Sequence, residues 1–380
     1  MRALIIGGGI GGLTAAIALR SKGIDVDVYE QSPMLKEVGA GISLWPNAVK
    51  ALANLGLGEA LRSISHEDSD FALKRWNGAV ISHTPTRVLK QRFGGGVILV
   101  HRAELLGILA DSFGSEHIHL GHTCAGIEET PGRVTARFTN GETTHAEVLI
   151  GADGLHSVVR TALEHREPVR YSGYTAWRCV VRFDTSAIVP SESWGAGKRF
   201  GIHPMKGGRV YWYATDNTRE GEIDAEQSRK SHLLSLFKRW HQPIEALIQA
   251  ADSNILRNDI YDRNPLPVWG SGRATLLGDA AHPMTPDLGQ GACLAIEDAL
   301  ELAEFLASAS DIAAGLRSYE ASRIPRTTSI VLASRRMGRL GQLSSPLLCR
   351  LRDLALQLTP EALTLRSLTP ILSYERHLDI

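Results

Sequence analysis

The sequence predicts an α/β protein: a lobe built on a parallel sheet, interrupted by an antiparallel β-sheet lobe, with helices at the C-terminal end. Three observations predict it. The chain opens with a strand, a glycine-rich turn, a helix and a second strand, which makes the first lobe Rossmann-like. Residues 171–267 change character, alternating apolar with polar residues and carrying aromatic and β-branched side chains. "RATLLGDAAH" then restores an apolar strand ending in a glycine turn, and long helical patterns follow.

In chain order, "ALIIGGG" is a short apolar strand running into glycine, and "GGIGGLTAAIALRSKG" carries Leu13, Ala16, Ile17 and Leu19 on one helical face. Gly23 stops that helix. "IDVDVYE" alternates as a second strand and ends in Glu30. Gly7-x-Gly9-x-x-Gly12 fills the first turn. The first glycine permits a tight turn, the second lets backbone approach a pyrophosphate, and the third lets helix and strand pack. The helix N-terminus offers free N–H groups and a positive dipole end to phosphates. An acid placed as Glu30 is accepts hydrogen bonds from ribose hydroxyls. The unit reads as a dinucleotide site without choosing between FAD and NAD.

Gly39 and Gly41 would let backbone pass close to a flat ligand. A helix starts at Pro46 or Asn47 with Ala48, Leu52 and Leu55 inward and stops at Gly56. Val97–Val100 reads as a strand, followed by Arg102 at a helix start. There the arginine either reaches a pyrophosphate as a charge-assisted partner or is a solvated helix-end charge. Asn140-Gly141 marks a hairpin, and "GADGLHSVVR" places Asp153 and Arg160 on either side of a turn and helix start. "SHLLSLFKRWHQPIEALIQA" is a helix with a proline break. The expected division is 1–71, 98–170 and 268–330 for the nucleotide lobe, 72–97 and 171–267 for the sheet lobe, and 331–380 for a C-terminal helical segment. In the tail, Arg335, Arg336, Arg339, Arg350 and Arg352 suit either an anionic membrane surface or the solvated face of a packing helix.

Bulk properties narrow the function. At 380 residues the chain can bury a sizeable core. Lysine plus arginine and aspartate plus glutamate both number 41, so charge makes no case for nucleic acid. Cys124, Cys179, Cys293 and Cys349 are dispersed and form no CxxC pair, which argues against a zinc site or disulfide framework and for reduced thiols in a cytoplasmic protein. The N-terminus is too rich in glycine, and lacks the basic flank, for a signal peptide. No apolar run reaches the ~18 residues of a membrane span.

Three motifs stand in order: GGGIGG (7–12), GADGLHSVVR (151–160) and GDAAHPMTPDLGQGACLAIEDA (278–299). Together they resemble the single-component FAD-dependent aromatic hydroxylases of the para-hydroxybenzoate hydroxylase fold. "GISLWPNAVKAL" and "TPDLGQGACLAIEDA" are similar to the branch holding FAD-dependent urate hydroxylase, salicylate-type hydroxylases and zeaxanthin epoxidase. The resemblance implies FAD as cofactor, with NADH or NADPH as transient electron donor. It implies that Gly7, Gly9, Gly11 and Gly12 hold the pyrophosphate and Glu30 the adenosine ribose. Gln31 and Ser43 would lie along the FAD, Arg102 would contact the flavin, and Cys124 would touch adenine by its backbone. Asp153 would serve both nucleotides, and Asp279 the ribityl and phosphate region. Pro283 and Pro286 would stiffen the turn beneath the flavin. Gly289, Gln290, Gly291 and Ala292 would turn backbone N–H groups toward flavin N1 and the C2 carbonyl, where reduced flavin carries negative charge.

On the substrate side the resemblance points to Arg199 and Tyr211 in "GKRFGIHPMKGGRVYWY". The arginine would hold an anionic group, and the tyrosine would orient or deprotonate the substrate. The urate enzymes would have an uncharged, Asn-like residue where Arg178 follows Trp177, which sets this chain apart from them. Trp177, Phe200, Trp212 and Tyr213 are candidate walls of a dry pocket, and His282 is expected to shape backbone. The implied reaction hydroxylates a small aromatic or heteroaromatic substrate with dioxygen through a flavin C4a-hydroperoxide, in a monomer or homodimer. Alternatives are an epoxidase or polyketide- or antibiotic-modifying monooxygenase and, more remotely, a non-enzymatic flavin-fold protein binding prenyl chains or a partner. The intact "GDAAHPMTPDLGQG" speaks against the last. The missing cysteine pair speaks against a disulfide reductase, and "WRCVV" does not match a halogenase.

Overall fold

A computed structural model describes residues 1–35, 40–67, 70–252 and 254–374. The strand Arg2–Ile6 is buried at four of its five positions, as a parallel strand covered on both faces must be. It lies at the centre of a five-stranded parallel sheet ordered Ala274–Leu276, Val148–Gly151, Arg2–Ile6, Asp25–Glu30, Ile118–Leu120. The helix Ile10–Ser21, buried along nearly its whole apolar length, packs on this sheet and against the helices Arg102–Phe113 and Gly291–Ser308. The helix Ile10–Ser21 starts directly beyond the carboxyl end of the strand Arg2–Ile6, the position where open α/β sheets bind ligands. Asn140-Gly141 turns a hairpin between Arg133–Phe138 and Thr143–Ala146.

A seven-stranded sheet forms the second layer. Its order is Leu256–Asp262, Arg170–Arg182, Arg209–Asp216, Lys198–Met205, Ser191–Trp194, Phe71–Arg75, Val80–Thr84. It is antiparallel except where Ser191–Trp194 runs parallel to Phe71–Arg75. One face is covered by the helices Arg229–Leu236 and Ile244–Gln249, separated around Pro243 where the sequence places its proline break. Trp177, Phe200, Trp212, Phe237 and Leu247 form the dry core between them.

Boundaries differ from the sequence reading in small ways. The strand read as Val97–Val100 is Ile98–His101. A 30-residue helix, Ile312–Gly341, runs without interruption across position 330 and through Pro325. The helices Pro346–Leu358 and Glu361–Leu372 follow. Among the described residues no helix is long and apolar enough to cross a membrane. All four cysteines are free and buried.

Candidate active site

The glycine turn comes first. Gly7 has φ +111°, a conformation that glycine alone adopts without strain, and a Cβ there would collide with the Ala152 carbonyl. A Cβ on Gly12 would collide with the Gly7 carbonyl, and one on Gly11 would stand 2.9 Å from Leu277 and 3.1 Å from Ala295. These two glycines therefore let the helix pack on protein. Gly9 alone faces open space, with nothing within 4 Å of a Cβ placed there. It caps the helix Ile10–Ser21 with no side-chain bond, which leaves that helix's first N–H groups for a ligand. Glu30 ends the second strand. Its carboxylate accepts from Gly8 N–H at 2.7 Å and Ser32 N–H at 2.9 Å, tying that strand to the turn. Gln31 beside it is exposed and Ser43 half-buried. Gly39 lies outside the described residues.

In the second motif the Asp153 carboxylate is engaged by its own turn. It accepts from the Ser157 hydroxyl at 2.5 Å and from the N–H groups of Val158 and Val159 at 2.7 and 3.2 Å. Burial nevertheless pushes its pKa up. Arg160 is almost wholly buried and donates to the carbonyls of Ala280 and Ala281 at 3.1 and 3.2 Å. The second motif thus clamps the third, a link that separation of 120 residues hides from sequence reading. Cys124 is buried with its thiol pushed up to about 11 by burial, so it stays a neutral, unreactive group there.

The third motif holds the charge. Asp279 is exposed to solvent but crowded by surrounding protein atoms. The crowding raises its pKa, while His282 and Arg102 pull it down. Gly289 sits at φ +61°, and a Cβ on it would stand 3.0 Å from Trp45 Nε1. Gln290 then begins the helix Gly291–Ser308, which has no acidic residue in its first turn and no side-chain cap. Its initial N–H groups are available to a negatively charged group. Gln290 Oε1 accepts from Asn47 Nδ2 at 3.0 Å, and the same nitrogen donates to Glu297 at 2.7 Å. Around this turn Trp45 Nε1, Asn47 Oδ1 and Gln290 Nε2 are buried polar atoms with no partner. An open Gly9, two uncapped helix N-termini, a crowded carboxylate and orphaned polar atoms beside Gly289 fit FAD, the cofactor that the motifs imply.

Below the turn lies a buried charge network that the sequence reading missed. His282 bonds Asp298 at 2.5 Å, and Arg323 bonds Asp298 at 2.7 Å and Glu297 at 2.8 Å. Arg326 reaches Glu297 twice at 2.7 Å. Burial works to raise both carboxyls, but Arg323, with Arg326 and His282, holds Glu297 and Asp298 below the ordinary range. Helical spacing of Arg323 and Arg326 was the available signal; their partners lie on another helix. His282 is buried in this network, consistent with a structural place rather than a free base.

The seven-stranded sheet turns its polar face toward this loop. Arg199 pairs with Thr215 across the strands, and His203 with Tyr211, so Arg199 and Tyr211 share one face but stand four residues apart along it. Tyr213 lies between them. Arg199 is buried and bonded to Asp287 at 2.7 Å and Glu192 at 3.3 Å, over the Tyr174 ring. The Tyr174 hydroxyl donates to Asp287 at 3.0 Å. Asp287 belongs to the loop before Gly289, so this cluster joins the sheet to the third motif. The helix Ile312–Gly341 closes over it with Gly338 against Asp287 and Gly341 against Arg199.

At the other end Tyr211 lies against Gly41, where a Cβ would stand 2.5 Å from its ring. Burial raises the Tyr211 hydroxyl's pKa, while Arg178, which hydrogen-bonds it, and Arg102 lower it. Among the described residues Arg178 has no carboxylate partner; besides Tyr211 it donates to Asn258 Oδ1 at 3.3 Å. Of the four expected wall residues only Tyr213 faces this side. Trp177, Phe200 and Trp212 lie in the apolar core on the opposite face, because adjacent strand residues point to opposite faces.

Three comparisons with known proteins agree with this geometry. The family description "FAD binding domain" matches residues 1–334. The chain is 41% identical over 353 residues to an aurachin C monooxygenase/isomerase of Stigmatella aurantiaca, covering 92% of each chain. It is 38% identical over 343 residues to an FAD-dependent urate hydroxylase of Klebsiella pneumoniae, covering 88% of this chain and 89% of that one. Its fold superposes on the structure of Klebsiella pneumoniae HpxO with FAD and uric acid at a TM-score of 0.92, with 34% identity over 98% of this chain and 97% of that one.

Proposed function

The chain belongs to the FAD binding domain family of flavoprotein monooxygenases, and on that footing we propose that it hydroxylates a small aromatic or heteroaromatic substrate with dioxygen and NADH or NADPH. The observation that carries this reading is the Asp287–Arg199–Tyr174 cluster. It fastens the loop at Gly289 to the polar face of the sheet, which supports reading the loop as the cofactor side and the sheet face as the substrate side of one site. When bound, FAD supplies the redox and oxygen-transfer chemistry. One atom of O2 enters the ring, the other leaves as water, and the reduced nicotinamide provides the two electrons.

The chain's own residues bind, orient and exclude water. The Gly9 backbone and the helix Ile10–Ser21 would receive the pyrophosphate, with Gly7, Gly11 and Gly12 shaping the turn. Glu30, Gln31, Ser43, Arg102, the Cys124 backbone and Asp153 would line the nucleotide. Asp279 would meet the ribityl region, and the N–H groups from Gly289 through Gln290, Gly291 and Ala292 would face the ring's negative edge. Arg199, matched by two carboxylates, would set the chamber's shape. Tyr211 would orient the substrate, and Arg178 would offer the counter-charge for an anionic substituent.

The test is a screen of phenols, aromatic acids and purine-like heteroaromatics for stimulated NAD(P)H oxidation, with product mass measured. A product heavier by one oxygen atom is the expected outcome. Oxidation that yields only peroxide across the whole set would defeat the proposal.

A further inference from the structure

The helix Pro346–Leu358 is built inside out. It turns Cys349, Arg352 and Asp353 inward, the last two only 5% exposed, and Arg352 bonds Asp353 at 2.8 Å over the Trp194 ring. Its outer stripe is Leu347, Leu351, Leu354 and Leu358, at the spacing of one helical face, with Leu348 beside it. These leucines are 48–72% exposed. Leu363 on the next helix and Trp76 and Val80 of the adjoining sheet edge extend the patch. Arg75 is bonded to Asp353, and Gln357 to the Val80 carbonyl, which fixes that edge beside the helix. Among the described residues, eight of the fourteen exposed large apolar side chains belong to this helix, the next one and the adjoining sheet edge.

Charge selects the occupant. Arg336, Arg339, Arg350 and Arg366 are exposed across residues 336–374, against one exposed acid, Glu361. Arg350 flanks the leucine stripe, three residues from Leu347 and four from Leu354. Two copies paired through this stripe would bring these cations against their own equivalents. A surface of anionic lipid supplies the opposite charge at the depth to which arginine reaches from an apolar face. Leucines for the acyl boundary, a tryptophan at the edge and flanking arginines are the make-up of a helix lying in a membrane interface. We propose that the helix Pro346–Leu358, with Trp76, Val80 and Leu363, seats this enzyme peripherally on anionic lipid.

The test is co-sedimentation of the FAD-loaded full chain with phosphatidylcholine vesicles, with and without phosphatidylglycerol. Binding should be stronger by roughly tenfold when phosphatidylglycerol is present and should weaken with added salt. Leu351→Ser with Leu354→Ser should cut it about tenfold while FAD content and thermal unfolding hold. Should that pair disturb folding, Leu358→Ser at the most exposed position carries the same expectation. Arg350→Glu should erase the preference for the anionic lipid. Absence of vesicle binding, or binding unchanged in the leucine variants, overturns the proposal. So does a dimer in light scattering that the leucine substitutions dissolve, because the stripe would then belong to a second copy.

Discussion

The two faces of the seven-stranded sheet come from the same stretches of backbone and do opposite things. On one face Val210, Trp212 and Ala214 join Trp177, Phe200 and Ile202 in a buried, mainly apolar layer against two helices. On the other, Tyr211, Tyr213 and Thr215 join Tyr174, Arg178, Glu192 and Arg199 toward the nucleotide lobe. Side chains alternate along a strand, so a slip of one residue would exchange the two sets. Stability and chemistry are interleaved in sequence yet separated in space. Substitutions one residue apart should then report through different measurements.

The largest effect belongs to the dry face. Trp212→Ala should cost about 3–5 kcal/mol in denaturant unfolding. A loss no larger than that of a polar-face variant would break the contrast. Arg199→Ala comes next, because it leaves Asp287 and Glu192 without their cation; roughly 3 kcal/mol is expected. Substrate-stimulated turnover should fall at least tenfold with FAD retained. Loss of FAD instead would remove Arg199 from the substrate chamber. Gly289→Val forces a branched residue to φ +61° beside Trp45 and should cost about 1–3 kcal/mol. It should also shift the flavin potential by disturbing the N–H groups of that turn, and an unchanged potential with unchanged turnover would sink the assignment.

Acid should act on the buried charge network of the helix Gly291–Ser308, which belongs to neither face of the sheet. Glu297 and Asp298 are held below the ordinary carboxyl range when folded, so the unfolded chain binds more protons as pH falls. Their contribution is whole above about pH 5, where the unfolded carboxyls are also ionised, and disappears as pH drops through their folded values. Unfolding measured down the acid limb should show this loss, and Arg323→Met should flatten the limb. A limb of unchanged slope would show that the network does not govern acid stability. The smallest effect is Tyr213→Phe, under about 1 kcal/mol, with any change confined to substrate affinity.

The nucleotide turn was the most legible part of the chain, because its parts are local. Gly7, Gly9, Gly12 and Glu30 lie within one βαβ unit, where the Gly7 carbonyl requires a glycine at position 12 and Glu30 accepts from the Gly8 N–H. Even there the structure redistributes the work: Gly11 and Gly12 are taken up by packing, and Gly9 faces open space. The sheet strands were legible as strands but not as faces. Alternation shows which residues share a side, and Trp177, Phe200 and Trp212 look equally suited to a core and to a pocket wall. Burial against Phe237 and Leu247 decided among them.

What the sequence determined by itself was the α/β class, the order of three motifs and the positions of the turn glycines. These depend on interactions within a few residues, or on a period that the backbone imposes. Tertiary structure alone decided that Arg199 is matched by Asp287 and Glu192, that Arg178 stands beside Tyr211, and that Arg160 clamps the Ala280–Ala281 turn. It also decided that the helix Pro346–Leu358 turns its leucines outward. An unmatched charge and one matched twice are the same letter in a sequence. The difference is a distance between segments tens to hundreds of residues apart, and Coulomb energy and desolvation depend on that distance.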